Sequence, residues 1–113
     1  MTNHKYPQRG EVYWVELDPT VGAEINKTRP AVIVSNNAGN KMSYRVIIAP
    51  ITSSSARIYP FESGIFLNNK KGKALLDQVR SIDKKRLKKK IGKLDPKTMQ
   101  SIDKALKIAL SLS

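Results

Sequence analysis

The feature that most constrains the fold is a continuous apolar run, AVIV at residues 31–34, directly after Arg29 and Pro30. Its residues do not alternate with polar ones, which predicts a strand over 31–35 that is covered on both faces. A chain of 113 residues is one domain by length. It can hide about two thirds of its unfolded surface, enough for a real core. The run therefore predicts a small domain, residues 1–113, built around a buried strand, with the Arg29 guanidinium just before the N-terminal end of that strand.

Other stretches rich in β-branched and aromatic residues predict further strands at 10–17, 44–52, 58–67 and 73–82. Residues 18–29 and 36–40 have no clean period and contain glycine, so we predict loops there. Pro50 lies inside one predicted strand, where it indicates a sheet edge or a bulge.

The last thirty residues have a different character. Asp83 is placed to cap a short basic helix over 84–90, which Gly92 would end. Asp95 and Pro96 predict the start of a terminal helix, whose apolar stripe is Met99, Ile102, Leu106, Ala109 and Leu110. The predicted fold class is mainly β: a small, strongly bent barrel with the C-terminal helix laid across it.

Charge is the strongest indication of a partner. The chain has 21 Lys and Arg against 9 Asp and Glu, a formal charge of +12, and most of the excess follows residue 67. Such an excess indicates a polyanion, which could be nucleic acid, an acidic protein segment or an anionic membrane, although a lysine run can also be a solvated face.

We find no signal-like N-terminus, no apolar run near the ~20 residues of a membrane span, and no cysteine. These features predict a cytoplasmic protein outside the membrane.

Several classes of catalytic site are disfavoured. The only histidine is His4, cysteine is absent, and carboxylates are sparse, so we expect no metal and no other cofactor. RNA can be cut without metal because its own 2′-OH attacks the adjacent phosphate. A guanidinium can stabilise the negative charge of the resulting phosphorane, and a hydroxyl can bind the phosphate. Arg29 and the cluster beginning Thr52 and Ser53 stand at predicted strand ends, but the alternatives are a surface ion pair of Arg29 with Glu24 and a plain serine turn.

Five segments together carry a family resemblance: RGEVYWVELDPTVGAE (9–24), RPAVIVSNN (29–37), PIT (50–52), YPFE (59–62) and LLDQVRSIDKKRL (75–87). In this order the chain resembles the MazF/PemK (Kid)-type toxins of bacterial toxin–antitoxin systems, which are mRNA endoribonucleases. The resemblance implies an SH3-like barrel of the CcdB/MazF type and a homodimer. It also implies cleavage of single-stranded RNA to 2′,3′-cyclic phosphate and 5′-hydroxyl ends, and an antitoxin whose flexible acidic tail blocks the groove.

Matching positions carry the family's roles onto this chain. Arg29 falls on the catalytic arginine and Thr52 on the catalytic threonine, while the loop before Arg29 and the later DQ segment match residues that line the substrate groove: Asn26, Lys27, Asp77, Gln78 and Arg80. The chain departs from many relatives at Ala23, where they carry His or Ser, and from one branch at Leu75, where that branch uses an arginine.

The remaining site residues are predicted from the sequence around these positions. Glu24 is the nearest carboxylate to Arg29 along the chain and is the candidate general base. Tyr59 and Phe61 are candidates for stacking on RNA bases, unless Phe61 belongs to the core. Ser53 and Arg57 are predicted to contact the substrate.

Two other functions suit the same features. A non-catalytic SH3-like RNA-binding module would account for the charge and the fold. A toxin of the same barrel type that poisons DNA gyrase would account for the fold alone, since such toxins generally lack the RP and DQ motifs.

Overall fold

Within residues 5–19, 21–24, 27–53 and 57–113, which the computed structural model describes, the chain forms seven strands and two helices. Two single turns of 3₁₀-helix, Leu76–Gln78 and Lys84–Arg86, flank the sixth strand. The elements in chain order are β1 (Glu11–Glu16), β2 (Thr28–Ile33), α1 (Asn37–Met42), β3 (Arg45–Thr52), β4 (Glu62–Leu67), β5 (Lys70–Leu75), β6 (Arg80–Asp83), β7 (Leu87–Lys93) and α2 (Pro96–Ala109).

All the strands belong to one antiparallel sheet in the order β4-β5-β3-β2-β1-β7, with β6 paired to the first half of β3. The two outer strands of this order approach each other. A Cβ added to Gly92 of β7 would lie 3.2 Å from the Leu67 side chain of β4. The sheet therefore curls until its edges meet through side chains, which makes a half-barrel. The mainly β class with a C-terminal helix is confirmed.

The central strands bury both of their faces, as the unalternated apolar run predicts. Val32 belongs to the cluster that packs against α2, while Ala31 and Ile33 belong to a second cluster with residues of β1, β3 and β6. All three side chains are fully buried. Since successive residues of a strand point to opposite faces, the two clusters lie on opposite sides of the sheet.

The terminal helix starts as predicted. Asp95 is its N-cap, and its carboxylate accepts the Thr98 N–H at 2.7 Å. Met99, Ile102, Leu106 and Ala109 contact the first cluster. Leu110 does not belong to this stripe, because it lies past the last helical residue and is largely exposed, and Ala105 takes the buried position instead.

The predicted basic helix over 84–90 is wrong. Asp83 does cap a turn there, accepting the Lys85 N–H at 2.8 Å, but the turn ends at Arg86 and the chain continues as β7. β7 pairs with β1, and two lysines of β7 form ion pairs with glutamates of β1. Lys90 contacts Glu11, and Lys88 lies 3.7 Å from Glu16. Pairing with a neighbouring strand thus overrides local helix preference, as tertiary context often does.

Three other expectations are corrected. Residues 36–40 are not a plain loop, because Asn36 caps α1 by accepting the Gly39 N–H at 2.7 Å. β2 begins earlier than predicted, at Thr28, since its pairing with β1 continues to Glu16. The predicted strand over 73–82 is divided into β5 and β6 by the turn Leu76–Gln78.

Pro50 lies in a central strand, where an edge or bulge was predicted. β3 pairs with β6 as far as Ile48 and with β5 from Ile51. Pro50 therefore falls where one partner strand gives way to the other. A residue without an N–H is tolerated at that point because no ladder bond is required on that side.

We predict that Gly72→Ala destabilises the protein by about 1–3 kcal/mol, the usual range for overpacking. The added Cβ would lie 2.6 Å from the Thr52 carbonyl oxygen, a backbone atom that cannot move alone. Urea denaturation measures the change.

Gly39→Ala is the matched control, because its Cβ meets Asn36 at an ordinary 3.4 Å within α1. Alanine is the better helix former, so stability should stay equal or rise slightly. Equal stability of the Gly72 and Gly39 variants would contradict the prediction.

Candidate active site

The register between β2 and β3 brings Arg29 and Thr52 together. The pairing of β2 with β3 ends at Ala31 and Pro50, and Arg29 and Thr52 lie two residues beyond that pair, near the ends of the two strands. Both residues make polar or electrostatic contacts in the structure. Two residues far apart in sequence thus come to the same cleft, next to the most buried part of the sheet.

Arg29 and Thr52 both line an open cleft of about 570 Å³ where the edges of the curled sheet approach. Its floor is apolar and comes from five strands. The floor residues are Val12, Trp14, Pro30, Ile51, Ile65, Leu67 and Ile91. Its rim is polar and basic, comprising Lys27, Thr28, Arg29, Thr52, Ser53, Asn68, Lys70 and Lys71, with Gly72 between them.

The cleft has no acidic residue among its described lining residues. Four cationic side chains, Lys27, Arg29, Lys70 and Lys71, surround it. A cluster of cations of this kind attracts phosphate groups, and a guanidinium at a fixed strand end can bind phosphate oxygens in a bidentate manner.

Glu24 was predicted to lie near Arg29 because it is the nearest carboxylate along the chain. It is not among the described residues that line the cleft of Arg29. Its carboxylate accepts the Val21 N–H at 2.6 Å within its own loop. It lines a second depression of about 510 Å³, together with Ala23, Pro50, Asp77, Gln78, Val79 and Arg80. The structure therefore groups Glu24 with the predicted groove residues of the DQ segment, and groups Lys27 and Ser53 with Arg29 and Thr52. Asn26 lies outside the described residues.

Arg80 also has a structural contact. Its guanidinium donates to the Leu17 carbonyl at 3.1 Å, and Arg86 donates to the carbonyls of Glu16 and Asp18. These bonds fix the start of the loop that leads to β2. The backbone of Lys27, at the end of that loop, is held by the Asp18 carboxylate at 3.0 Å and has a positive φ of 68°.

Arg57, Tyr59 and Phe61 are brought together as a stack. The rings of Tyr59 and Phe61 are parallel within 3° with centroids 5.4 Å apart, and the Arg57 guanidinium lies 4.8 Å from the Tyr59 centroid. Phe61 is only partly buried and is in neither core cluster. The stack lies after Ser53 in the chain, but its members are not among the described lining residues of the cleft.

A buried ion pair holds this segment to β5. The Glu62 carboxylate accepts the Lys73 ammonium at 2.8 Å and the Tyr59 N–H at 3.0 Å, while Lys73 also donates to the Arg57 carbonyl at 2.6 Å. The two side chains are only 8% and 12% exposed. Burial raises the pKa of Glu62, but the bonds from Lys73 and Tyr59 outweigh it and keep that pKa below the ordinary value. Because Lys73 pairs with Thr52, the ion pair ties the segment to the end of β3.

Sequence reasoning missed the floor of the cleft and its hairpin wall. Trp14 and Lys70 line the cleft, but neither was predicted as a site residue. Trp14 lies within the matched segment 9–24 without a role assigned to it, and Lys70 lies outside all five matched segments. The alternation in β1 could have placed Trp14 on the same face as Val12. Nothing local could have shown that β7 would stand opposite β4, since β7 was predicted as a helix.

Two kinds of feature are absent from the described residues. No helix among them is long and apolar enough to cross a membrane. No group of three or more His, Cys, Asp or Glu side chains converges in those same ranges to hold a metal ion.

Comparison with known proteins gives consistent results. A family model described as "PemK-like, MazF-like toxin of type II toxin-antitoxin system" matches residues 8–110. The chain is 37% identical over 117 residues to endoribonuclease MazF9 of Mycobacterium tuberculosis, covering 93% of this chain and 97% of the relative.

Solved structures share the fold. A mycobacterial endoribonuclease in complex with its cognate antitoxin superposes with a TM-score of 0.80 at 30% identity, covering 95% of this chain and 97% of the other. MazF of Deinococcus radiodurans superposes with a TM-score of 0.84 at 25% identity, covering 96% and 100%.

We predict that Glu62→Gln weakens the protein at neutral pH and that its difference from wild type narrows in acid. The folded-state pKa of Glu62 is lowered, so its stabilisation is complete above the ordinary value of 4.5 and is lost as the pH falls through the folded pKa. Urea denaturation at a series of pH values measures this.

Glu16→Gln serves as the control, because Glu16 is about half exposed and lies 3.7 Å from Lys88. Exposed pairs contribute little, so that variant should track wild type at every pH. A wild-type to Glu62→Gln difference that stays constant from neutral pH into acid would contradict the assignment.

Proposed function

Since the chain belongs to the PemK-like and MazF-like toxins of type II toxin–antitoxin systems and is an endoribonuclease, we propose that it cuts single-stranded mRNA at a short sequence. The products carry a 2′,3′-cyclic phosphate and a 5′-hydroxyl. The single observation that carries this proposal is that Arg29 and Thr52 line one basic cleft.

The chemistry follows from the residues on that rim. The 2′-OH attacks the adjacent phosphorus and loses its proton, a dianionic phosphorane forms, and the bond to the 5′-oxygen breaks as that oxygen takes a proton from the Arg29 guanidinium. Arg29 stabilises the phosphorane charge with its guanidinium, whose fork of donors matches the phosphate oxygens. Thr52 holds the phosphate and orients the 2′-OH through its hydroxyl. No external nucleophile is required, and the rim offers cations and hydroxyls where a divalent cation would need carboxylate ligands. We therefore propose a reaction without metal or cofactor.

Glu24 is proposed to accept the proton of the 2′-OH. A carboxylate is a better base than arginine or a free hydroxyl. Its present partner is the Val21 N–H, inside a loop that ends next to the cleft residue Lys27. Proton transfer would require this loop to turn its carboxylate from the second depression toward Arg29.

The other predicted residues are proposed to contact the RNA on either side of the scissile phosphate. Lys27 and Ser53 are on the cleft rim, while Asp77, Gln78 and Arg80 line the second depression. Asn26 is proposed for the same role from its position in the chain. The Arg57–Tyr59–Phe61 stack offers two aromatic rings and a cation to bases that leave the cleft.

Its partners are proposed to be a second copy of the chain and an antitoxin with a flexible acidic tail, in the cytoplasm. A similar mycobacterial endoribonuclease forms a complex with its cognate antitoxin. The formal charge of +12 and the four cations on the rim of the cleft suit an acidic tail.

We predict that Arg29→Ala lowers RNA cleavage about a hundredfold or more while RNA still binds. Loss of one positioned donor typically costs about 2.7–4 kcal/mol of barrier. Cleavage of a long single-stranded RNA in EDTA, followed by mapping of cyclic-phosphate ends, measures the effect. Thr52→Val should also slow cleavage, since it removes only the hydroxyl.

Arg45→Ala is the matched control, because Arg45 is an exposed arginine at the opposite end of β3. It removes the same charge far from the cleft and should cleave like wild type. Wild-type cleavage by Arg29→Ala would overturn the catalytic assignment, and intact RNA with wild-type protein would overturn the proposed reaction.

We predict that the purified protein sediments with twice the 12.6 kDa mass of one chain. Sedimentation equilibrium at several concentrations measures this mass. A single-chain mass at all concentrations would contradict the proposed homodimer.

A further inference from the structure

Trp14 stands on the floor of the cleft and has no part in the chemistry proposed above. It is the only tryptophan in the chain. It pairs with Pro30, the residue next to Arg29, and it follows Val12 on the same face of β1. Val12 is completely buried, whereas Trp14 is 41% exposed. A large aromatic side chain is thus partly exposed to solvent beside the proposed catalytic arginine.

The opposite wall of the cleft is the hairpin that joins β4 to β5. Leu67 pairs with Lys70, and Ile65 pairs with Gly72. All four residues line the cleft, as expected because cross-strand partners share a face. Lys70 therefore lies on the cleft side of the hairpin.

The hairpin is built to hold its position. Asn68 and Asn69 both have positive φ, 52° and 60°, which is the conformation of a tight two-residue turn. The close approach of Gly72 to the Thr52 carbonyl fixes the hairpin against the end of β3. The hairpin backbone that carries Lys70 is therefore held against the strand that carries Thr52.

The two walls together select a ligand. An apolar floor with an exposed indole suits a flat aromatic group, and a rim of cations with no carboxylate among the described lining residues suits an anion. A nucleotide combines both properties. An acidic peptide with an apolar side chain is the competing ligand. RNA is favoured because Arg29 and Thr52 on the same rim have the chemistry to act on a phosphodiester.

We propose that Trp14 and Lys70 form a nucleotide subsite next to the scissile phosphate, with a base stacked on the indole and its phosphate held by the ammonium group. This inference rests on the proposed function and adds two binding residues to it. Every base has a π-face, so the subsite supplies affinity without strong base preference. Sequence choice is then left to the second depression and the Arg57–Tyr59–Phe61 stack.

The intrinsic fluorescence of Trp14 tests the stacking directly, because no other tryptophan contributes to the signal. Wild-type protein is titrated with 2′-O-methyl RNA heptamers, which bind but cannot be cut because the attacking hydroxyl is blocked. Sodium polyphosphate supplies anions without bases. The expected result is quenching by at least one heptamer and none by polyphosphate. Equal quenching by both, or none by any heptamer, would overturn the stacking.

Steady-state cleavage by variants tests both residues. Trp14→Ala should raise KM about five- to a hundredfold with kcat little changed, the range for one stacked base, while Trp14→Phe keeps a ring and should stay near wild type. Lys70→Ala should raise KM and lower the slope of log K against log salt by about 0.7, the value for one phosphate contact with a single strand.

Lys104→Ala is the charge-matched control, since Lys104 is exposed on α2 and does not line the cleft. A KM equal to wild type for both Trp14→Ala and Lys70→Ala would overturn the subsite while wild-type cleavage left the proposed function standing. Failure of the wild-type protein to cut RNA would overturn the proposed function itself. If an acidic peptide quenched Trp14 and no heptamer did, the cleft would be a protein-binding site instead.

Discussion

The antiparallel register of β2 against β3 is the constraint on which the rest of the structure depends. Its pairs Ala31–Pro50, Val32–Ala49 and Ile33–Ile48 are buried on both faces. A slip of one residue would turn each of these side chains to the wrong face. The same register brings the strand ends that carry Arg29 and Thr52 to one cleft, so the core packing that stabilises the fold also positions the proposed catalytic pair.

Curling of the sheet explains why the cleft has an apolar floor. α2 covers one part of the first cluster through Ile102 and Ala105, but the part near Trp14 and Ile91 lies between the two sheet edges and stays open. Surface of this kind costs stability in a monomer, since exposed apolar area is not removed from water. The proposed nucleotide subsite gives that open surface a function.

The polar contacts around the cleft hold its walls. The Glu62–Lys73 pair fixes the segment that follows Thr52, while Arg80 and Arg86 hold the base of the loop before Arg29 by donating to backbone carbonyls. Several cations of a strongly basic chain are thus engaged in structure. The charge that faces the substrate is concentrated at Lys27, Arg29, Lys70 and Lys71.

The sequence by itself determined the central buried strand, the Asp95-capped terminal helix, and the position of Arg29 and Thr52 at strand ends, because local pattern and capping chemistry act over a few residues. It could not determine that the lysine-rich segment 87–93 is a strand, since that depends on β1 accepting it as a partner. Nor could it separate Glu24 from the cleft or place Trp14 and Lys70 on it. Those positions are set by strand register and by the approach of the two sheet edges, which only the tertiary structure decides.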